Sequence, residues 1–132
     1  MREIKFRAWD KINKDMFNVE SINFQESRVY KDTVSYREFN NVDIMQYIGL
    51  EDKNGKEIYE GDIVFESFGE NYYKIIFENG SFRAEFKGDF EEYSLDLIDV
   101  VAQGCEVVGN IYENPELMEE WDNEILKNKN NG

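Results

Sequence analysis

Apolar and polar residues alternate along most of this chain, and the alternation reads as strands. Ile4, Phe6 and Ala8 alternate with Glu3, Lys5 and Arg7, the period-two pattern of a half-buried strand. The polar residues 10–15 make a turn, and Met16, Phe17 and Val19 return as the partner strand. Trp9 stands at the end of the first strand, where an amphipathic indole caps a core edge. The clearest hairpin covers residues 72–86, YYKIIFENGSFRAEF. Its Asn79-Gly80 pair suits a two-residue turn because both residue types tolerate positive φ. Tyr72, Lys74 and Ile76 share one face of the outgoing strand, and Tyr73, Ile75 and Phe77 share the other. Large apolar groups on both faces predict burial on both sides, inside a barrel or between copies of the chain.

Residues 46–64, QYIGLEDKNGKEIYEGDIV, carry the densest set of backbone signals. A short strand over 45–48 meets Gly49, which permits a bend or bulge. Asp52-Lys53-Asn54-Gly55 is a strong turn signal, again because Asn and Gly accept positive φ. Ile58 and Tyr59 resume the strand, Gly61-Asp62 breaks it, and Ile63, Val64 and Phe65 form an apolar strand bounded by Gly69. Residues 20–44 are less regular. Ile22 and Phe24 alternate, as do Val34 and Tyr36, but Asn, Ser, Asp and Arg interrupt them. That pattern predicts short irregular strands or a long surface excursion, a place for protein-specific contacts. An acidic connection over 87–99 leads to Val100 and Val101, and residues 105–112, CEVVGNIY, read as the last strand with Gly109 at a bulge.

A single helix is predicted over 115–127. Asn114 suits its N-cap and Pro115 its first position. Glu116, Glu119 and Glu120 lie where the positive pole of the helix dipole favours acids. Leu117, Trp121 and Ile125 form one apolar stripe, Lys127 suits the C-terminal pole, and residues 128–132 read as a frayed tail. With no repeat and no Pro/Gly/Ser linker, residues 1–127 read as one mainly β domain with a C-terminal helix.

Composition narrows the function more than it names it. The 132 residues include ten Phe and eight Tyr, which favour strands and bury large areas. There are 29 acidic and 15 basic residues, a net charge of −14, so direct binding to a phosphate backbone is disfavoured. The same charge suits a basic partner, or solubility alone. His is absent and Cys105 is the single cysteine, which excludes an intrachain disulfide, a Cys/His zinc site within one subunit, and His-dependent nucleophile triads. No apolar run has the length of a signal peptide or a membrane span, so a cytoplasmic location with no membrane contact is expected.

Carboxylates are the abundant reactive groups. Glu57, Glu60 and Asp62 lie close together, but Lys56 breaks the EF-hand pattern begun by Asp52 and Asn54, and Glu57 stands where that loop requires Gly. Asp62 instead suits a hydrogen bond to backbone amides at the start of a strand. Arg7, Trp9 and Asp10 stand at a strand end, as a pocket wall with Tyr47 or Tyr59 or as a buried indole with a surface ion pair. Cys105 precedes an apolar strand and has no neighbour to lower its pKa. The expectation is no enzyme, no metal and no cofactor.

Three segments taken together resemble the YopX family of phage and prophage proteins: residues 2–16, REIKFRAWDKINKDM; residues 46–64; and residues 107–118, VVGNIYENPELM. The family usually carries Thr where Ile48 stands here. The resemblance implies a mainly β fold, a small strongly curved sheet or barrel, partly SH3-like, with one C-terminal α-helix. It implies a self-associating protein of a mobile genetic element and carries over no catalytic residue. The matched positions Trp9, Gly49, Asn54, Gly55, Gly61, Asp62, Gly109, Asn114 and Pro115 look like architecture. Two functional expectations stand: a non-enzymatic, homo-oligomeric module that binds a host or phage protein, and an acidic DNA mimic that inhibits a host nucleic-acid-binding protein. For the second, Glu85, Asp89, Glu91, Glu92, Asp96 and Asp99 supply the carboxylates.

Overall fold

A computed structural model describes residues 3–67, 69–87, 92–96 and 104–118. Among the described residues the fold is mainly β, with a strongly curled sheet and one small helix. Its contacts gather into two compact units, Met1–Gly49 and Leu50–Gly132.

The first unit opens with the expected hairpin. Strand β1 (Phe6–Asp10) pairs antiparallel with β2 (Asp15–Asn18), placing Ala8 opposite Phe17 and Trp9 opposite Met16. Residues 20–44 hold three short antiparallel strands, β3 (Ser21–Asn23), β4 (Arg28–Tyr30) and β5 (Tyr36–Glu38), and then a 3-10 turn at Phe39–Asn41. A three-residue strand is too short to display a period of two, which is why the sequence there looked irregular. Strand β6 (Val42–Glu51) then returns along the free side of β1, with Ala8 opposite Ile44. The core joins Ala8, Phe17, Val29 and Val42, and Val19, Ile22, Phe39 and Ile44 pack against it.

Two expectations for this unit are corrected. The segment read as a short strand over 45–48 belongs to the ten-residue β6, because Gly49 takes a φ of 88° inside the strand without ending it. Alternation also overstated the core, since Ile4, Phe24 and Val34 are 66%, 78% and 79% exposed. Ile4 precedes β1, and Phe24 and Val34 sit in the connections on either side of β4, where no ladder turns them inward.

In the first unit the sheet order is β2-β1-β6, and β7 (Glu57–Tyr59) is the first strand lying wholly in the second unit. In the second unit, β8 (Asp62–Glu66), β9 (Asn71–Glu78), β10 (Ser81–Lys87), β11 (Glu92–Asp96) and β12 (Cys105–Asn110) form a sheet ordered β11-β10-β9-β8-β12. The Asn79-Gly80 turn is as expected, with φ values of 52° and 82° and Glu78 opposite Ser81. Burial on two faces occurs in β8, flanked by β9 and β12, where consecutive Ile63 and Val64 are both fully buried. Each such side chain contributes about 1.5–3 kcal/mol. The same expectation for β9 is corrected. Tyr73 and Ile75 are buried, but Phe77 is 56% exposed and meets Phe82 edge-on, 5.2 Å away, beside the hairpin turn.

The register of β12 against β8 shifts between Val107 and Gly109, the irregularity expected at that glycine. The helix begins at residues 116–118, held by amides of Leu117 and Met118 donating to the carbonyls of Asn114 and Pro115. The helical positions 119–127, the tail 128–132, and Asp89, Glu91 and Asp99 of the acidic stretch lie outside the described residues.

Candidate functional site

The predicted motif positions of the second unit converge on buried carboxylate and amide side chains that hold turns. Asp52 is 7% exposed and does the most. Its Oδ1 accepts the amides of Asn54 and Lys56, both at 2.9 Å, which shapes the turn around Asn54 and Gly55. Gly55 takes a φ of 82°, the conformation for which a glycine is needed there. The second oxygen of Asp52 reaches 55 residues along the chain to accept the Val107 amide of β12 at 2.9 Å. Lys53 donates its own amide to the Cys105 carbonyl at 3.0 Å, so the turn is tied to β12 twice. Burial pushes the Asp52 carboxyl up, but the amides of Val107, Lys56 and Asn54 outweigh it and hold the group below the ordinary carboxylate range. Burial, reinforced by the charge of Asp52, pushes the Cys105 thiol up, opposite to what a nucleophile requires.

Asp62 behaves as its position suggested. Its Oδ2 accepts the Tyr59 amide at 2.8 Å within the buried interior, and the neighbouring Gly61 exchanges backbone bonds with Ile75 and Ile111. Gly109 is constrained by space, because a Cβ there would lie 2.6 Å from Asn114 Oδ1. That contact redirects Asn114. Instead of capping the helix with its side chain, as expected, Oδ1 reaches back to accept the Asn110 amide at 3.2 Å. Asn110 in turn accepts the amides of Tyr112 and Glu113, at 3.0 and 2.8 Å. Pro115 follows directly and its carbonyl starts the helix. Glu66 was not anticipated; it is 2% exposed and accepts the Gly69 amide on both oxygens.

In the first unit, Trp9 is 9% exposed beside the fully buried Asp10. Asp10 Oδ1 accepts the amides of Ile12 and Asn13, and Oδ2 accepts Asn13 Nδ2 at 3.0 Å and Arg37 Nε at 2.6 Å. Burial opposes ionisation, yet the Asn13 amide, Arg37 and the other donors hold the carboxyl far below its usual range. The indole is buried as expected, but the ion pair is not at the surface: Asp10 is fully buried and its partner is Arg37, drawn from β5. An Asx residue opening a polar turn was the available signal for both Asp10 and Asp52.

An open groove of about 550 Å³ lies along the β3–β5 sheet, lined by Ile22, Phe24 and Tyr30 together with Glu20, Asp32 and Thr33. Asp32 Oδ1 accepts the amides of Val34 and Ser35, which hold its carboxyl below the ordinary range. Phe24, Val34 and Tyr36 of the same sheet and its connections are 78%, 79% and 38% exposed. Among the described residues no three His, Cys, Asp or Glu side chains are grouped to hold a metal ion, and no helix is long and apolar enough to cross a membrane.

The comparisons agree with this fold. The YopX protein family matches residues 5–119. The chain belongs to the YopX family. Protein EF1440 from Enterococcus faecalis is 32% identical in its crystal structure, with a TM-score of 0.70 over 89% of this chain and 99% of that one. Protein yopX from Bacillus subtilis is 21% identical, with a TM-score of 0.56 over 89% and 98% of the two chains, a likeness of fold. No curated protein matches this YopX chain. YopX is not a known enzyme family.

Proposed function

We propose that this YopX protein is a non-enzymatic protein-binding module of a bacterial mobile element, and that it binds through the β3–β5 sheet. The observation that carries this reading is the exposure of Phe24 and Val34, at 78% and 79%, on the connections of a sheet whose own core is satisfied. Phe24 also lines the groove on this sheet, beside Ile22 and Tyr30. The placement of charge supports the same unit as the contact region. Residues 1–49 carry eight basic and eight acidic side chains, whereas residues 50–132 carry seven basic and twenty-one acidic, the whole net charge of −14.

The test is affinity capture from the bacterial host, comparing the native chain with Phe24→Ser/Val34→Ser. The reading predicts a defined set of proteins that the variant fails to hold. Identical sets from both chains would place binding elsewhere. The concentration of acid in residues 50–132 favours a second reading, a DNA mimic. Under that reading the captured set consists of DNA-binding proteins, duplex DNA releases them, and the Phe24→Ser/Val34→Ser chain still holds them.

A further inference from the structure

The β3–β5 sheet contains a cation seated between rings and carboxylates. The Arg28 guanidinium lies 4.1 Å from the centre of the Tyr36 ring, within 3.0 Å of Glu26 Oε2 and 3.6 Å of Glu38 Oε1. The Tyr30 oxygen and these carboxylates favour its charged form. The groove on the same sheet has the same ingredients from other residues: the carboxylates of Glu20 and Asp32, the rings of Phe24 and Tyr30, and the apolar side chain of Ile22. Among the described residues no ion pair engages Glu20 or Asp32, and the amides of Ser35 and Val34 hold the Asp32 carboxyl below the ordinary range. Asp32 spends Oδ1 on its turn, which fixes the carboxylate in place at the groove. The space of about 550 Å³ is shallow and open, room for one extended side chain rather than an enclosed ligand.

We propose that this groove receives an arginine or lysine side chain of a partner polypeptide, with Glu20 and Asp32 taking the charge and Phe24 and Tyr30 the stem and its apolar neighbour. The inference rests on the protein-binding reading and specifies the partner's chemistry. A cation over an aromatic face beside a carboxylate gains from both contacts, and the net charge of −14 draws cationic chains toward the protein. The same net charge argues against a second copy of this chain as the occupant of an acidic groove.

The test is fluorescence anisotropy with a labelled octapeptide of alternating Arg and Leu, against a matched peptide of alternating Gln and Leu. The Arg peptide should bind roughly tenfold more tightly, and Glu20→Gln/Asp32→Asn should erase most of that advantage. Asparagine keeps the oxygen on which the turn depends, and an unchanged thermal melt checks this. Glu51→Gln/Glu70→Gln removes the same amount of negative charge and should change affinity less than about twofold. Equal binding of the two peptides, or equal loss in both charge variants, would each overturn the proposal. If Glu20→Gln/Asp32→Asn still captures the native partner set from lysate, the groove inference fails while the protein-binding reading stands.

Discussion

Replacing Asp52 by Asn changes one atom in the densest knot of the fold. The native carboxylate accepts three amides, two from its own turn and one from Val107 of β12, each at 2.9 Å. The asparagine has one acceptor oxygen. If that oxygen keeps Asn54 and Lys56, its amide nitrogen faces the Val107 N–H, donor against donor. If it flips, Val107 is satisfied and two turn amides are not. Either way at least one hydrogen bond to a charged acceptor is lost, a cost of about 1.5–3 kcal/mol. With a urea slope of about 2 kcal/mol/M, the unfolding midpoint should fall by about 1 M. Amide exchange of Val107 should quicken more than that of Ala84, in a strand the carboxylate does not touch. A midpoint within about 0.2 M of native, with Val107 equally protected, would refute the role given to Asp52.

Three other outcomes follow from the same contacts. Asp10 and Asp52 have carboxyls held below their unfolded values, so the stability they add is complete above about pH 4 and is lost as pH falls through their folded values; urea midpoints should be flat from about pH 7 to 5 and drop below about pH 4, more shallowly in Asp52→Asn, and equal slopes would count against this. Gly109→Ala should lower stability by about 1–3 kcal/mol in thermal melts, and adding Asn114→Ala should recover part of it; strictly additive losses would show that the 2.6 Å approach is not the cause. Cys105, 1% exposed, should resist a thiol reagent in the native protein and react on unfolding; reaction of the native protein at the rate of a free thiol would contradict its burial.

The sequence was legible wherever the cause was local. Asn79-Gly80, Asp52–Gly55 and Gly61-Asp62 were readable because positive φ and Asx hydrogen bonds depend on the residue types at the turn. It was illegible where the partner is distant. Nothing near Asp52 announces Val107, and nothing near Asp10 announces Arg37, 27 residues away. Asn114 differs, since its partner Asn110 is only four residues back: its type fits a cap equally well, and the absence of a Cβ at Gly109 leaves room for the side chain to point backward. The groove was invisible because Glu20, Phe24 and Asp32 come together only through the pairing of three-residue strands.

The central claim is that the 46–64 signature builds the fold while binding belongs to the β3–β5 sheet. The most direct measurement is the affinity of a captured partner for Asp52→Asn, at a temperature where that variant is fully folded. The account predicts an affinity within about twofold of native. A tenfold loss in the folded variant would put the signature inside the binding site and contradict the account.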